Sequence, residues 1–81
     1  MWFVYIVRCA DNSLYTGITT DLARRTREHN FGNKGAKYTF FKRPVVLVYS
    51  ESARDRSSAL KREAAMKKLS KSAKEQLLKL D

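Results

Sequence analysis

Cysteine and histidine each occur once in this chain, as Cys9 and His29. An intramolecular disulfide is therefore excluded, and so is a zinc cage of cysteines and histidines within one chain. Acidic residues number 8 against 17 lysines and arginines, scattered from Asp11 to Asp81. Two-metal phosphodiesterase chemistry, which needs several converging carboxylates, has little to draw on. No apolar run approaches the roughly 18 residues of a membrane-spanning helix, and the N-terminal segment lacks the basic start of a secretory signal. These absences point to a soluble protein of a reducing cytoplasm with no membrane partner.

What remains is a chain of 81 residues, 43% hydrophobic and 31% charged, a balance that folds. We expect one domain spanning 1–81. The formal net charge is +9, and it is uneven. Residues 24–43 hold seven basic residues against Glu28 alone, and residues 54–81 hold nine against four acids. Two basic blocks flanking apolar segments suggest a surface that attracts a polyanion. Solubility alone is the plainer explanation of such a charge.

The pattern predicts an α+β fold: a three-stranded antiparallel sheet flanked by three helices, in the order ββαβαα. Residues 2–9, Trp2-Phe3-Val4-Tyr5-Ile6-Val7-Arg8-Cys9, read as a strand buried on both faces. Asp11, Asn12 and Ser13 are turn formers, and Leu14 to Thr20 returns as a second strand. Asp21 can cap a helix from Leu22 to about Phe31. Gly32 to Gly35 breaks it, and Lys37 to Arg43 reads as irregular. Pro44 opens a third strand, Val45 to Tyr49, whose unbroken apolar run suggests a central, covered position. Asp55 can cap a second helix to about Leu69. Ser72 with Glu75 has the spacing of a capping box for a third helix ending near Leu80.

A three-residue turn of Asp11, Asn12 and Ser13 places Tyr5 opposite Thr19, Val7 opposite Gly17 and Cys9 opposite Tyr15. Tyr5 and Tyr15 then share one face of the sheet. Gly17 leaves a notch diagonal to Tyr5 where a ligand can approach. Either tyrosine taken singly is an ordinary strand aromatic.

In the first helix, Arg25 and His29 stand four apart on the stripe that contains Leu22, the only large apolar residue of the helix body. An arginine and a histidine aimed at the sheet need partners, since an unpaired buried charge is costly. Tyrosines can supply them, and a bound phosphate does so better. Arg24 and Arg27 point elsewhere, toward solvent or phosphate. In the second helix Glu63 falls within an arc bounded by Ala59, Met66, Leu60 and Ala64. A carboxylate there pairs with Lys67 one turn on, or ligates a cation.

These residues carry a resemblance. Val4-Tyr5-Ile6, followed ten residues on by Tyr15-Thr16-Gly17, resembles the paired tripeptides that name the GIY-YIG nuclease superfamily. Ile18 to Asn30 is similar to its second motif, which lands on Arg25 and His29. Ala59-Leu60-Lys61-Arg62-Glu63 is similar to the segment carrying its metal-binding glutamate. Val4 replaces a glycine of the name-giving motif and Thr16 an isoleucine; neither position supplies a reactive side chain. The match covers essentially the whole chain and looks closest to short, stand-alone bacterial members.

The resemblance implies a metal-dependent DNA endonuclease of repair or recombination. It would nick single strands in the cytoplasm, or at the bacterial nucleoid, as a monomer or weak dimer. Its site residues would be Tyr5, Tyr15, Arg25, His29 and Glu63. Glu63 would hold Mg²⁺ or Mn²⁺, and Arg25 would grip the scissile phosphate. Tyr5 would orient or deprotonate the attacking water, while Tyr15 and His29 position or relay protons. Gly17, Arg24, Arg27, Lys34 and Lys37 are the candidate contacts to nucleic acid. The expected substrate is branched, flapped or nicked DNA. The rival expectation is a basic nucleic-acid-binding module without catalysis, or one that acts only with a protein partner in a repair complex.

Overall fold

The computed structural model describes residues 1–32 and 37–79. Lys34, one of the expected nucleic-acid contacts, lies outside the described residues. The elements are β1 (Trp2–Arg8), β2 (Leu14–Thr19), α1 (Leu22–Phe31), α2 (Lys37–Phe40), β3 (Val46–Ala53), α3 (Arg56–Lys67) and α4 (Lys71–Leu78). The predicted α+β fold is present, with three strands in one antiparallel sheet ordered β2-β1-β3. One turn of helix, α2, replaces the first part of the segment expected to be irregular.

The centre of the sheet is β1, and its sequence explains why. Val4 and Ile6 are fully buried against Ala59 and Met66 of α3, with Leu77 and Leu78 of α4 beside them. Tyr5, Val7 and Cys9 alternate with them and pack with Leu22 of α1 and Val45. A strand apolar on both faces has to be covered on both. The expectation that Val45 to Tyr49 forms the central strand is corrected. The third strand lies at an edge, and Val46 is 61% exposed. Val45 precedes the ladder, and its backbone is held instead by the Asn30 side chain. The Asn30 amide donates to the Val45 carbonyl at 3.0 Å and accepts from its N–H at 2.6 Å. Further along, Ile6 pairs with Tyr49 and Val7 with Leu47, so Val48 is the extra residue of a bulge.

The hairpin turn does hold three residues, but they are Ala10, Asp11 and Asn12. The Cys9 N–H donates to the Ser13 carbonyl at 2.8 Å and closes the turn. The Asp11 carboxylate accepts from the Ser13 backbone and hydroxyl, and Asn12 takes the left-handed conformation at φ 71°. The turn therefore sits one residue earlier than expected, and each β1 residue meets a partner two residues earlier on β2. Tyr5 pairs with Gly17, and Val7 with Tyr15. The shift preserves parity, so Tyr5 and Tyr15 remain on one face of the sheet.

Asp21 and Asp55 cap α1 and α3 as expected, each accepting from the backbone N–H three residues on. The third cap is Ser70, not Ser72. With Ser70 as the cap, the capping-box position falls on Ala73, and Glu75 instead accepts from Arg8 with both oxygens, at 2.8 and 2.7 Å. That bidentate bridge ties α4 to the end of β1.

Candidate active site

The site begins with the exchange between Tyr5 and Gly17. A Cβ on Gly17 would lie 2.6 Å from the Tyr5 oxygen and 2.7 Å from the adjoining ring carbon. The notch expected to admit a ligand is filled by the Tyr5 ring itself. Gly17 is accordingly buried; its part is to seat the phenol.

α1 meets that phenol. His29, with no exposed surface, places Nε2 2.8 Å from the Tyr5 oxygen. Its other ring nitrogen, Nδ1, lies 2.8 Å from the hydroxyl of Thr39 in α2. The Nε of Arg25 donates to the Tyr5 oxygen at 3.4 Å, and its Nη1 to Glu28 at 3.0 Å. In the tautomer where the Tyr5 hydroxyl donates to Nε2, Nδ1–H donates to Thr39; the other tautomer reverses both bonds. A chain Arg25, Tyr5, His29, Thr39 thus crosses three elements. Burial and the nearby Arg25 charge lower the His29 pKa to about 4, so the imidazole is neutral at pH 7. Burial raises the Tyr5 pKa against the opposing effect of Arg25, so Tyr5 is a phenol there.

Tyr15 completes the aromatic wall. Its ring centre is 5.5 Å from that of His29, edge-on, and 5.7 Å from that of Tyr38, stacked. Glu63 lies on the stripe of α3 that carries the buried Ala59 and Met66, and its side chain is 17% exposed. Leu60 and Ala64, expected to flank the core-facing arc, are exposed; the arc is centred one residue earlier. Lys67 pairs with Glu63 at 3.5 Å, and its ammonium lies 6.0 Å from the Tyr15 ring centre.

Tyr5, Tyr15, Arg25 and His29, each predicted separately, therefore gather in one cluster, and Glu63 is tied to it through Lys67. Arg24 and Arg27 are exposed on α1 outside it, as expected. Lys37 is the first residue of α2. Sequence reading missed Thr39 and Tyr38, which lay in the stretch read as irregular; without α2 nothing aimed them at the site. A cleft of about 150 Å³ lined by Ser13, Leu14, Tyr38, Lys71 and Lys74 shares Tyr38 with the cluster.

The donor set fits a single hard cation. Among the described residues no three His, Cys, Asp or Glu side chains gather as a ready-made cage. Beside the cluster Glu63 is the more sheltered carboxylate, 17% exposed against 26% for Glu28, and it pairs with the half-exposed Lys67. A small octahedral ion that keeps most of its waters and takes one carboxylate plus substrate phosphate suits such a site.

The fold and the cluster define a nuclease-type catalytic domain, and the chain belongs to the GIY-YIG family: residues 1–76 match the GIY-YIG catalytic domain. This is a nuclease family acting on DNA, and its members generally use divalent metals. The relatives are similarly small. UPF0213 protein DP2720 of Desulfotalea psychrophila is 63% identical over 78 residues, which is 96% of this chain and 71% of the relative. UPF0213 protein YhbQ of Escherichia coli K12 is 51% identical over 77 residues, 95% of this chain and 76% of the relative. The solution NMR structure of UPF0213 protein BH0048 from Bacillus halodurans is 43% identical. It aligns with a TM-score of 0.63, covering 100% of this chain and 86% of that one. No helix among the described residues is long and apolar enough to cross a membrane.

Proposed function

We propose that the protein is a metal-dependent DNA endonuclease that nicks one strand at a time, acting in DNA repair or recombination. The observation that carries this is the Tyr5–His29 hydrogen bond, 2.8 Å long and buried, with Arg25 on the same phenol oxygen. A buried imidazole and guanidinium meeting on one phenol serve the core poorly. They serve a phosphate well.

In this reading Arg25 binds the scissile phosphate, its planar fork held at one edge by Glu28. Tyr5 gives its proton to His29 and accepts one bond from Arg25, which leaves a lone pair for the attacking water. As the water's proton reaches the Tyr5 oxygen, the phenol proton passes to Nε2 of the neutral His29. No phenolate is needed, which suits a tyrosine whose pKa burial has raised. Tyr15 closes the far edge of the imidazole and excludes water from it. Glu63 would hold Mg²⁺ or Mn²⁺; when bound, the ion supplies charge stabilisation at the phosphate and leaving oxygen. Arg24, Arg27, Lys34 and Lys37 are the proposed contacts to flanking phosphates.

The test is a panel of linear, nicked, flapped and branched DNAs incubated with the purified protein in Mg²⁺, Mn²⁺ or EDTA. Metal-dependent nicking that disappears in Glu63→Ala supports the reading. Binding that is indifferent to EDTA and to Glu63→Ala, with no cleavage, supports the non-catalytic module instead. Cleavage seen only after addition of a cell extract would support the partner-dependent alternative.

A further inference from the structure

The segment from Tyr38 to Arg43 faces two ways. Its inner side belongs to the active-site cluster: Thr39 is fully buried on His29, and Tyr38 stacks on Tyr15. Its outer side displays Phe40 and Phe41, 45% and 91% exposed, their ring centres 4.8 Å apart and edge-on. A phenylalanine exposed to that degree forgoes nearly all of the roughly 1.5–3 kcal/mol its burial would return. One cation lies against this pair and a second against the neighbouring Tyr38. The Arg43 guanidinium lies 4.5 Å from the Phe40 ring centre, and the Lys42 ammonium 3.9 Å from that of Tyr38. Arg43 also donates to the Gly32 carbonyl at 2.7 Å, which brings in the neighbouring Phe31, itself 83% exposed.

We propose that Phe40 and Phe41 form a stacking platform for an unpaired nucleobase of the bound strand, with Lys42 and Arg43 serving the adjoining phosphates. Three occupants can cover exposed aromatic rings, and the charge separates them. A second copy of this chain would bring like charge onto like charge, since residues 24–43 are strongly basic. An apolar protein surface offers no anion to Lys42 and Arg43, whose partners here are the exposed Asp11, at 3.3 Å, and the Gly32 carbonyl. Nucleic acid satisfies both components: phosphates take the cations, and a base stacks on the ring for about 1–3 kcal/mol. Only a base outside a duplex has a free face, so the platform selects single-stranded, flapped or bulged DNA. Its inner side holds His29 and Tyr15, so the unpaired nucleotide lies close to the phosphate that is cut. That last clause rests on the nuclease reading; the binding does not.

The experiment is fluorescence anisotropy of the full chain in EDTA, with a labelled oligothymidylate and a blunt duplex of equal length. Phe41→Leu, with an unchanged melting temperature, is expected to weaken single-strand binding about 5- to 150-fold, the equivalent of one stacked base. Duplex affinity should stay as it was. Phe41→Trp should restore single-strand binding, and its added fluorescence should be quenched by the oligonucleotide. Equal single-strand affinity for Phe41→Leu overturns the platform, as does an equal loss on both DNAs. A change of oligomeric state in Phe41→Leu, with DNA binding intact, overturns it in favour of a second copy. Selective binding as described, without cleavage in Mg²⁺, would leave the platform standing and defeat the nuclease reading. Cleavage in which Phe41→Leu keeps the wild-type preference for flap over duplex would do the reverse.

Discussion

The Tyr5 ring lies across Gly17, its partner on β2, so closely that a single added methyl would come within 2.6 Å of the phenol oxygen. That oxygen is fixed at its far end by His29 and Arg25, so it has little freedom to yield. Gly17→Ala should therefore displace the phenol and cost about 1–3 kcal/mol of stability, in the range of other overpacked sites. The same substitution in a Tyr5→Ala background should cost much less, because the obstruction is gone. Chemical denaturation of the four proteins of this double-mutant cycle measures the coupling. Additive losses would mean that the two residues do not interfere.

The Thr39 hydroxyl is the partner of His29 Nδ1, and in the proposed mechanism it accepts the Nδ1–H. Thr39→Val keeps the shape and leaves Nδ1–H buried without its acceptor, at a cost of about 1–3 kcal/mol. Nitrogen-15 chemical shifts of the imidazole should move away from the Nδ1–H tautomer, and cleavage should fall. Thr39→Ser should restore both. A stability loss with unchanged tautomer shifts would reduce Thr39 to a packing residue.

Acid should unfold the protein in two overlapping stages. His29 titrates near 6.5 in an unfolded chain and at about 4 here. Between those values the unfolded chain binds a proton that the folded one refuses, so stability falls as pH drops through that window. The shift corresponds to about 3 kcal/mol, complete once the pH is below 4. Glu75 is held at about 2 by the hydrogen bonds from Arg8 and then Lys71, and Asp11 also lies at about 2, chiefly through Ser13. Their contributions are present above the ordinary carboxylate range and are lost as pH falls toward 2. Urea midpoints measured from pH 8 to pH 2 check this. His29→Gln should flatten the upper limb alone, and Glu75→Gln part of the lower.

Thr16 offers a change in the opposite direction. It is 2% exposed, and its hydroxyl has no hydrogen-bond partner among the described residues. Thr16→Val removes the unmet hydroxyl without changing the shape, and should raise stability by about 1–2 kcal/mol. A lower melting temperature would show that the hydroxyl is satisfied by bound water.

Much of this was legible in the chain because the signals were local and redundant. β1 was apolar at every position that became buried, and Asp21 and Asp55 were caps placed one residue before their helices. Arg25 and His29 were readable because helical spacing forced them onto the only apolar stripe available. The errors arose where a distant residue decided the outcome. Ser70 took the cap expected at Ser72, leaving Glu75 to bridge to the distant Arg8, and Asn30 held Val45 out of the ladder. The hairpin register depended on where the turn closed: Asn12 takes the left-handed conformation as its last residue, so the turn begins one position earlier than expected. Tyr38 and Thr39 were invisible because four residues of helix carry almost no periodicity.

The central claim is that Tyr5, Arg25, His29 and Glu63 act as one hydrolytic pocket. The most direct measurement is the single-turnover nicking rate of supercoiled plasmid in Mg²⁺ by the wild-type protein and by Tyr5→Phe, with the fold and DNA affinity of both verified. A rate at least about 100-fold lower in Tyr5→Phe, at equal affinity, is expected for loss of a group that handles the proton of the attacking water. Equal nicking by the two proteins would contradict the account.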